Sequence, residues 1–254
     1  MQTCFFYFYD AKVTKTHNRQ RRIVMNYEQP VENTTTRKLF YSIYGWMTVA
    51  LAITAGTAYG VLMHEPFIKI LLTRPSIGIA LLIAQLVVVI VFSALLSRLS
   101  YGTALALFIL YAILSGITFS VIFYYYSPES ITKAFFISAG MFGSMAIYGY
   151  MTHTDLSKMG TILRMALWGM ILALIINMFL HSSGFDFILS ILGVILFSVL
   201  TAYTVNMIKQ LAAQLEDTDR ENYLKIGLLG AFQLYLNFLN LFLNILNLTG
   251  KRRE

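Results

Sequence analysis

Apolar residues in this chain neither alternate with polar ones nor recur only once per helical turn. They run on for about twenty residues at a time and stop at charges, as a segment crossing a bilayer requires. The runs are Phe40–Met63, Ser76–Ser97, Gly102–Tyr126, Ile131–Met151, Thr161–Leu180, Phe187–Met207 and Ile226–Leu248. Only Lys133 and Arg164 bring a charge inside these limits, and each falls in the first turn of its run, where a long side chain reaches the headgroups. Strands of a membrane barrel would instead show alternation in short segments. Only helices and closed barrels satisfy their backbone groups in lipid. The predicted fold class is therefore all-α: an integral membrane bundle of seven transmembrane helices embedded in the lipid bilayer.

Little chain lies outside the runs. Residues 37–250 form the predicted seven-helix domain, residues 1–36 a basic N-terminal tail expected to be disordered, and residues 251–254 a basic C-terminal tail. The apolar patch Cys4–Tyr9 is too short for the core of a signal peptide and has no basic region before it. Met25 reads as an alternative start, which would make residues 1–24 a start-site extension. Aromatic residues gather toward span ends, with Tyr41, Tyr44 and Trp46 in the first, Tyr124, Tyr125 and Tyr126 in the third, and Tyr148 and Tyr150 in the fourth, as interfacial anchors do. Four-residue spacings of small side chains, Gly56 with Gly60, Ala139 with Gly143 and Gly140 with Ser144, are expected to let helices approach closely.

Composition sharpens this picture by exclusion. The 254 residues are 57% hydrophobic and only 12% charged, against about a quarter charged in soluble domains. The net charge of +7 does not indicate nucleic acid, because the basic residues sit at the ends of apolar runs and not along one polar face. They are unequally divided: the tail, Arg98, Lys158, Arg164, Lys209, Arg220 and Lys225 fall on the N-terminal side of the membrane. Lys69, Arg74, Lys133, Lys251, Arg252 and Arg253 fall on the other. That bias predicts a cytoplasmic N-terminus. The basic C-terminus runs against a seventh crossing, so a hairpin returning to the cytoplasm is the alternative for the last segment, with seven full spans preferred. A single cysteine, Cys4, allows no intramolecular disulfide and no cysteine-rich metal site.

The last span carries Gln233, Asn237, Asn240, Asn244 and Asn247 at spacings of four, three, four and three, which places all five amides on one helical face. An amide facing lipid is costly, so this face should turn inward and put the helix at the centre of the bundle. Two roles remain open for it. The amides could glue helices together by hydrogen bonds. They could also form, with Ser198, Thr201 and Thr204 of the sixth span, a polar pathway for an ion.

Other chemistries find little support. No charged residue stands at mid-depth in any span, as a proton-coupled pump or a retinal-binding lysine would need. Ser115 and Ser144 have no histidine in reach, because His64, His153 and His181 lie at helix ends or in loops. The acidic stretch Glu216, Asp217, Asp219 and Glu221 fails as an EF-hand, since positions 6 and 12 would be Asn222 and Leu228. It reads as a solvated turn or helix start, with a loose surface cation funnel as the alternative. No enzyme and no cofactor is expected.

An ordered series of motifs carries a resemblance. Gly116-Ile-Thr in the third span, Tyr148-Gly149 followed by Thr154-Asp155-Leu156-Ser157 and Gly160, Thr201-Ala202-Tyr203 in the sixth, and Leu234-Tyr235-Leu236-Asn237-Phe238-Leu239-Asn240-Leu241-Phe242 in the seventh resemble the Bax inhibitor family of transmembrane proteins, in its bacterial type. The likeness runs from about Arg37 to Gly250. It implies six helices around a central last helix and a pH-sensitive calcium leak; animal and plant members suppress cell death from the endoplasmic reticulum. In such proteins two membrane aspartates share a proton and gate the pore, and an arginine near the end of the second span pairs with them, for which Arg98 is the nearest counterpart. The two aspartate positions here hold Thr204 and Asn237, neither of which titrates.

Two functions follow as expectations. One is a passive cation leak, with calcium as permeant and weak or altered pH gating, through Asn237, Thr204, Asn240, Asn244, Gln233, Thr201 and Ser198. Any pH response would then move to His153, His181 or Asp155. The alternative is a non-transporting interaction protein that modulates a membrane-anchored ATP-dependent protease or a stress response through the tail and the loop Lys209–Lys225. A bacterial cytoplasmic membrane is the expected location.

Overall fold

The computed structural model describes residues 34–96, 98–152, 154, 156–213 and 220–251. The N-terminal tail before residue 34, His153, Asp155, the acidic residues Glu216, Asp217 and Asp219, and Arg252 and Arg253 lie outside the described residues. Among those described, the chain forms eight α-helices: α1 (Thr34–Met63), α2 (Glu65–Thr73), α3 (Pro75–Leu95), α4 (Tyr101–Tyr125), α5 (Pro128–Met151), α6 (Met159–Leu180), α7 (Ser183–Ala212) and α8 (Arg220–Thr249). All but α2 are long and apolar enough to cross a membrane. The last segment is one continuous 30-residue helix, so the hairpin alternative fails and seven full spans stand.

Local chemistry sets the helix starts. Ser100, Ser127 and Ser182 each accept the backbone N–H three residues on, from Thr103, Ser130 and Phe185, at 3.2, 3.2 and 3.3 Å, which satisfies a donor the first turn leaves unpaired. Pro128 opens α5 at a position where its missing N–H costs nothing. At the other end of α6, His181 takes a left-handed conformation (φ 49°) and returns its N–H to Asn177 O at 2.8 Å. The short α2 escapes a search for twenty-residue runs. Pro66 starts it, and Ile68 and Leu71, three apart, bury its inner face.

The last helix is the centre. In its most apolar stretch 83% of residues are buried, against 67% in α7 and 22% in α1, α3, α5 and α6. It packs directly on α1, α4, α5 and α7, and Phe232 meets Phe92 of α3 with ring centroids 4.4 Å apart. Helix α6 packs chiefly on α7. Phe108, Tyr111 and Phe232 stack edge to face around Tyr235, which is fully buried.

The expected small-residue contacts are corrected. A Cβ added at Gly56, Gly60, Gly140 or Gly143 would meet nothing within 4 Å, so these faces do not bring helices of this chain together. Spacing reports that small residues share a face, not which face it is. The tight approaches fall elsewhere. At Gly149 an added Cβ would collide with the backbone of Ala202, where α5 crosses α7, and at Gly116 with Thr57 and the carbonyl of Thr54, where α4 crosses α1. Because backbone cannot swing aside, Gly149→Ala should destabilise the protein by about 1–3 kcal/mol or more, read as a lower melting temperature in detergent; an unchanged transition would contradict that packing.

Candidate functional site

The five amides of α8 divide by depth. Gln233 and Asn237 are buried, Asn240 and Asn244 half-buried, and Asn247 exposed at the end of the helix that leads to the C-terminus. Asn237 Nδ2 donates to Thr204 Oγ1 at 3.1 Å, so the two positions singled out from the sequence meet across the α7–α8 contact. Asn247 Nδ2 donates to Ser190 Oγ at 2.7 Å, and an added Cβ on Gly193 would strike the amide of Asn244. These pairs fix an antiparallel register that sets Ser198 level with Asn240. Thr201 is buried beside them, but its hydroxyl donates to Phe197 O at 2.8 Å within its own helix.

Asn237 and Asn247 join α8 to α7, but the rest of the row performs poorly as glue. Asn240 and Asn244 donate to carbonyls of their own helix, Leu236 O and Asn240 O, each at 2.7 Å. Both amide atoms of Gln233, and the hydroxyl of Ser198, are buried with no hydrogen-bond partner among the described residues. A buried group left so costs about 1–3 kcal/mol, which a purely structural helix would shed by substitution. Glue is supplied elsewhere, by Thr54 Oγ1 bridging Tyr235 OH at 2.7 Å and Ala112 O at 3.0 Å, and by Gln85 donating to Thr118 Oγ1 at 2.8 Å. Asn240 and Asn244, whose bonds stay within their own helix, are left for another task.

That task has a space. A cavity of about 340 Å³ opens between α4, α6, α7 and α8 on the side of the bundle opposite the start of α1, lined by Asn240, Asn244, Asn247, Ser190, Asp186 and Tyr126 among others. One N–H of Asn240 and one of Asn244 turn to the helix backbone, and their carbonyl oxygens remain as acceptors. Asp186 Oδ1 accepts from the buried Asn177 Nδ2 at 2.5 Å, which holds the carboxylate in place. Oxygen ligands of this kind suit hard cations.

On the opposite side α7 is bonded to the end of α5 and to the connection that follows it. Asn206 Nδ2 donates to Gly149 O at 3.4 Å and Asn206 Oδ1 accepts from Leu156 N at 3.4 Å. Lys209 Nζ donates to Tyr150 O at 2.7 Å and lies 5.3 Å from the centre of its ring. Arg98 is not brought to the pair: it is exposed in the turn after α3. Asp186 and Ser190 went unread in the sequence because they precede or open the sixth apolar run. Their four-residue spacing, which puts both on the face that meets Asn247, was the available signal.

Fold and seam together define a multi-pass integral membrane protein with a buried polar core. The family model described as "Inhibitor of apoptosis-promoting Bax1" matches residues 36–254. The chain belongs to this family, the Bax inhibitor family. It is 44% identical to inner membrane protein YbhL of Escherichia coli K12 over 211 residues, 83% of this chain and 90% of the relative. It is also 41% identical to an uncharacterized protein of Borreliella burgdorferi, covering 85% of this chain and 93% of the other. A protein of Deinococcus radiodurans is 37% identical, with 91% and 97% covered.

Proposed function

We propose that this chain is a passive cation leak, with calcium its favoured permeant, conducting along the polar seam between α7 and α8 and performing no reaction of its own. The reading rests on one observation above the others: Asn240, Asn244 and Asn247 of the amide row line a cavity, and Asn240 stands one helical turn from Asn237, whose amide meets Thr204 across the seam. Beyond the pair lies Gln233, whose unpartnered amide is the kind of group that water or a passing ion satisfies. Amide and hydroxyl oxygens bind a hard cation weakly, as conduction requires, because an ion held too tightly does not leave. Neither Thr204 nor Asn237 titrates, so the leak carries little pH gating at this pair.

The excess of basic residues beside the N-terminus supports a cytoplasmic N-terminus. The bacterial sources of the relatives, one of them named an inner membrane protein, support a bacterial inner membrane. The cavity then faces away from the cytoplasm.

Reconstituted in calcium-loaded liposomes, the protein should release calcium. Asn237→Leu, which keeps the volume and removes the amide, should slow release about tenfold, equivalent to roughly 1.4 kcal/mol on the barrier. Unchanged release in that variant contradicts the path.

A further inference from the structure

We propose that the cavity between α4, α6, α7 and α8 is a hard-cation binding site built around Asp186, at which divalent ions are collected before they reach the Asn237–Thr204 pair. The proposal deepens the leak reading and rests on it for the direction of use, but the site itself is a claim about binding.

Among the residues lining the cavity, Asp186 carries the one formal charge, and none is basic. Its position is not incidental. Asn177 of α6, itself buried, donates to one carboxylate oxygen, and Asn177 Oδ1 accepts from Ser182 N at 3.3 Å, so the carboxylate is tied to the turn that starts α7. Asp186 is itself exposed at the edge of the cavity, which leaves its other carboxylate oxygen open to solvent or a ligand. Around it several polar hydrogens are already committed to protein: Ser190 donates to Asp186 O at 2.8 Å, Asn247 donates one N–H to Ser190, and Tyr126 donates to Asn247 Oδ1 at 3.4 Å. With one amide hydrogen each of Asn240 and Asn244 also turned to backbone, the lining offers oxygen lone pairs beside the remaining N–H groups. Anions find no cationic partner here, whereas calcium and magnesium take carboxylate, amide carbonyl and hydroxyl oxygens.

Magnitude argues for transit over storage. No group of three or more acidic, histidine or cysteine side chains is assembled among the described residues. One carboxylate with neutral oxygens belongs with weak sites, whose dissociation constants fall at about 10⁻⁴–10⁻³ M. A cavity of about 340 Å³ is also large enough for the ion to keep several waters. Gly193 protects this geometry, since a side chain there would push Asn244 out of the lining.

The test uses terbium(III), a hard oxygen-seeking ion that emits when a neighbouring tyrosine is excited. The purified full-length protein should show tyrosine-sensitised terbium emission that calcium displaces. Asp186→Asn, which keeps an acceptor for Asn177, should weaken terbium binding at least tenfold, and Tyr126→Phe should dim the emission. Asn240→Leu should weaken binding as well, and it carries the test if the Asp186 variant does not fold. Affinity unchanged in Asp186→Asn and Asn240→Leu overturns the site. Absence of terbium binding alongside intact calcium release overturns the site and spares the leak; binding without any release spares the site and overturns the leak.

Discussion

Placing aspartate at both Thr204 and Asn237 will make calcium binding and calcium release depend on pH in a protein whose wild-type side chains at these two positions do not titrate. The present pair touches at 3.1 Å, buried on both sides. Two carboxylates at that separation cannot both ionise freely, so they share a proton and titrate as a coupled pair with widely split apparent values. An interaction exceeding one pKa unit corresponds to about 1.4 kcal/mol, a factor of ten in any equilibrium the proton controls. The sign for binding follows from ligand chemistry: a carboxylate binds calcium only when deprotonated, so the variant binds calcium more tightly as pH rises and releases it as pH falls. Titrating calcium against pH should show at least tenfold tightening across the upper transition, with less than about twofold change in wild type. A flat profile in the double variant would mean that the two side chains do not face each other.

Gln233→Leu is expected to stop the leak without harming the fold. The usual result of cutting a buried polar side chain is destabilisation, because a partner is stranded. Here no partner exists among the described residues, since both amide atoms of Gln233 lack one. Leucine is one atom shorter and removes a desolvated amide from a stretch of helix whose neighbours Phe232, Leu229 and Leu236 are all buried. Stability should therefore hold or rise by up to about 1–3 kcal/mol, measured as melting temperature in detergent. Calcium release should fall in parallel. Loss of stability with release intact is the opposite pattern, and it would assign Gln233 to packing and the path to another face.

The seven apolar runs located every spanning helix because bilayer thickness imposes a length that nothing else in a sequence imitates. The amide row likewise announced the central helix: a 3.6-residue period applied to five costly side chains leaves one inward face. What the sequence could not supply was pairing between distant segments. Gly56 and Gly60 look like a helix contact and are exposed, while Gly149 and Gly193, with no partner at four-residue spacing in the expected sets, hold the close crossings. Asp186 appeared as a loop residue beside an apolar run; only the register of α7 against α8 puts it in one cavity with Asn240 and Asn244. Arg98 illustrates the converse, since a residue at the right chain position ends in an exposed turn.

The central claim is that water reaches the amide row from one side of the membrane. With Cys4 as the single native cysteine, a Cys4→Ser background carrying Asn240→Cys or Asn244→Cys reports this directly through its reaction rate with a membrane-impermeant thiol reagent. Both positions should react from the side opposite the N-terminus at a rate near that of the exposed control Glu65→Cys, and reaction should block calcium release. Protection of both, to the level of a cysteine placed at the buried Tyr235, would contradict the account.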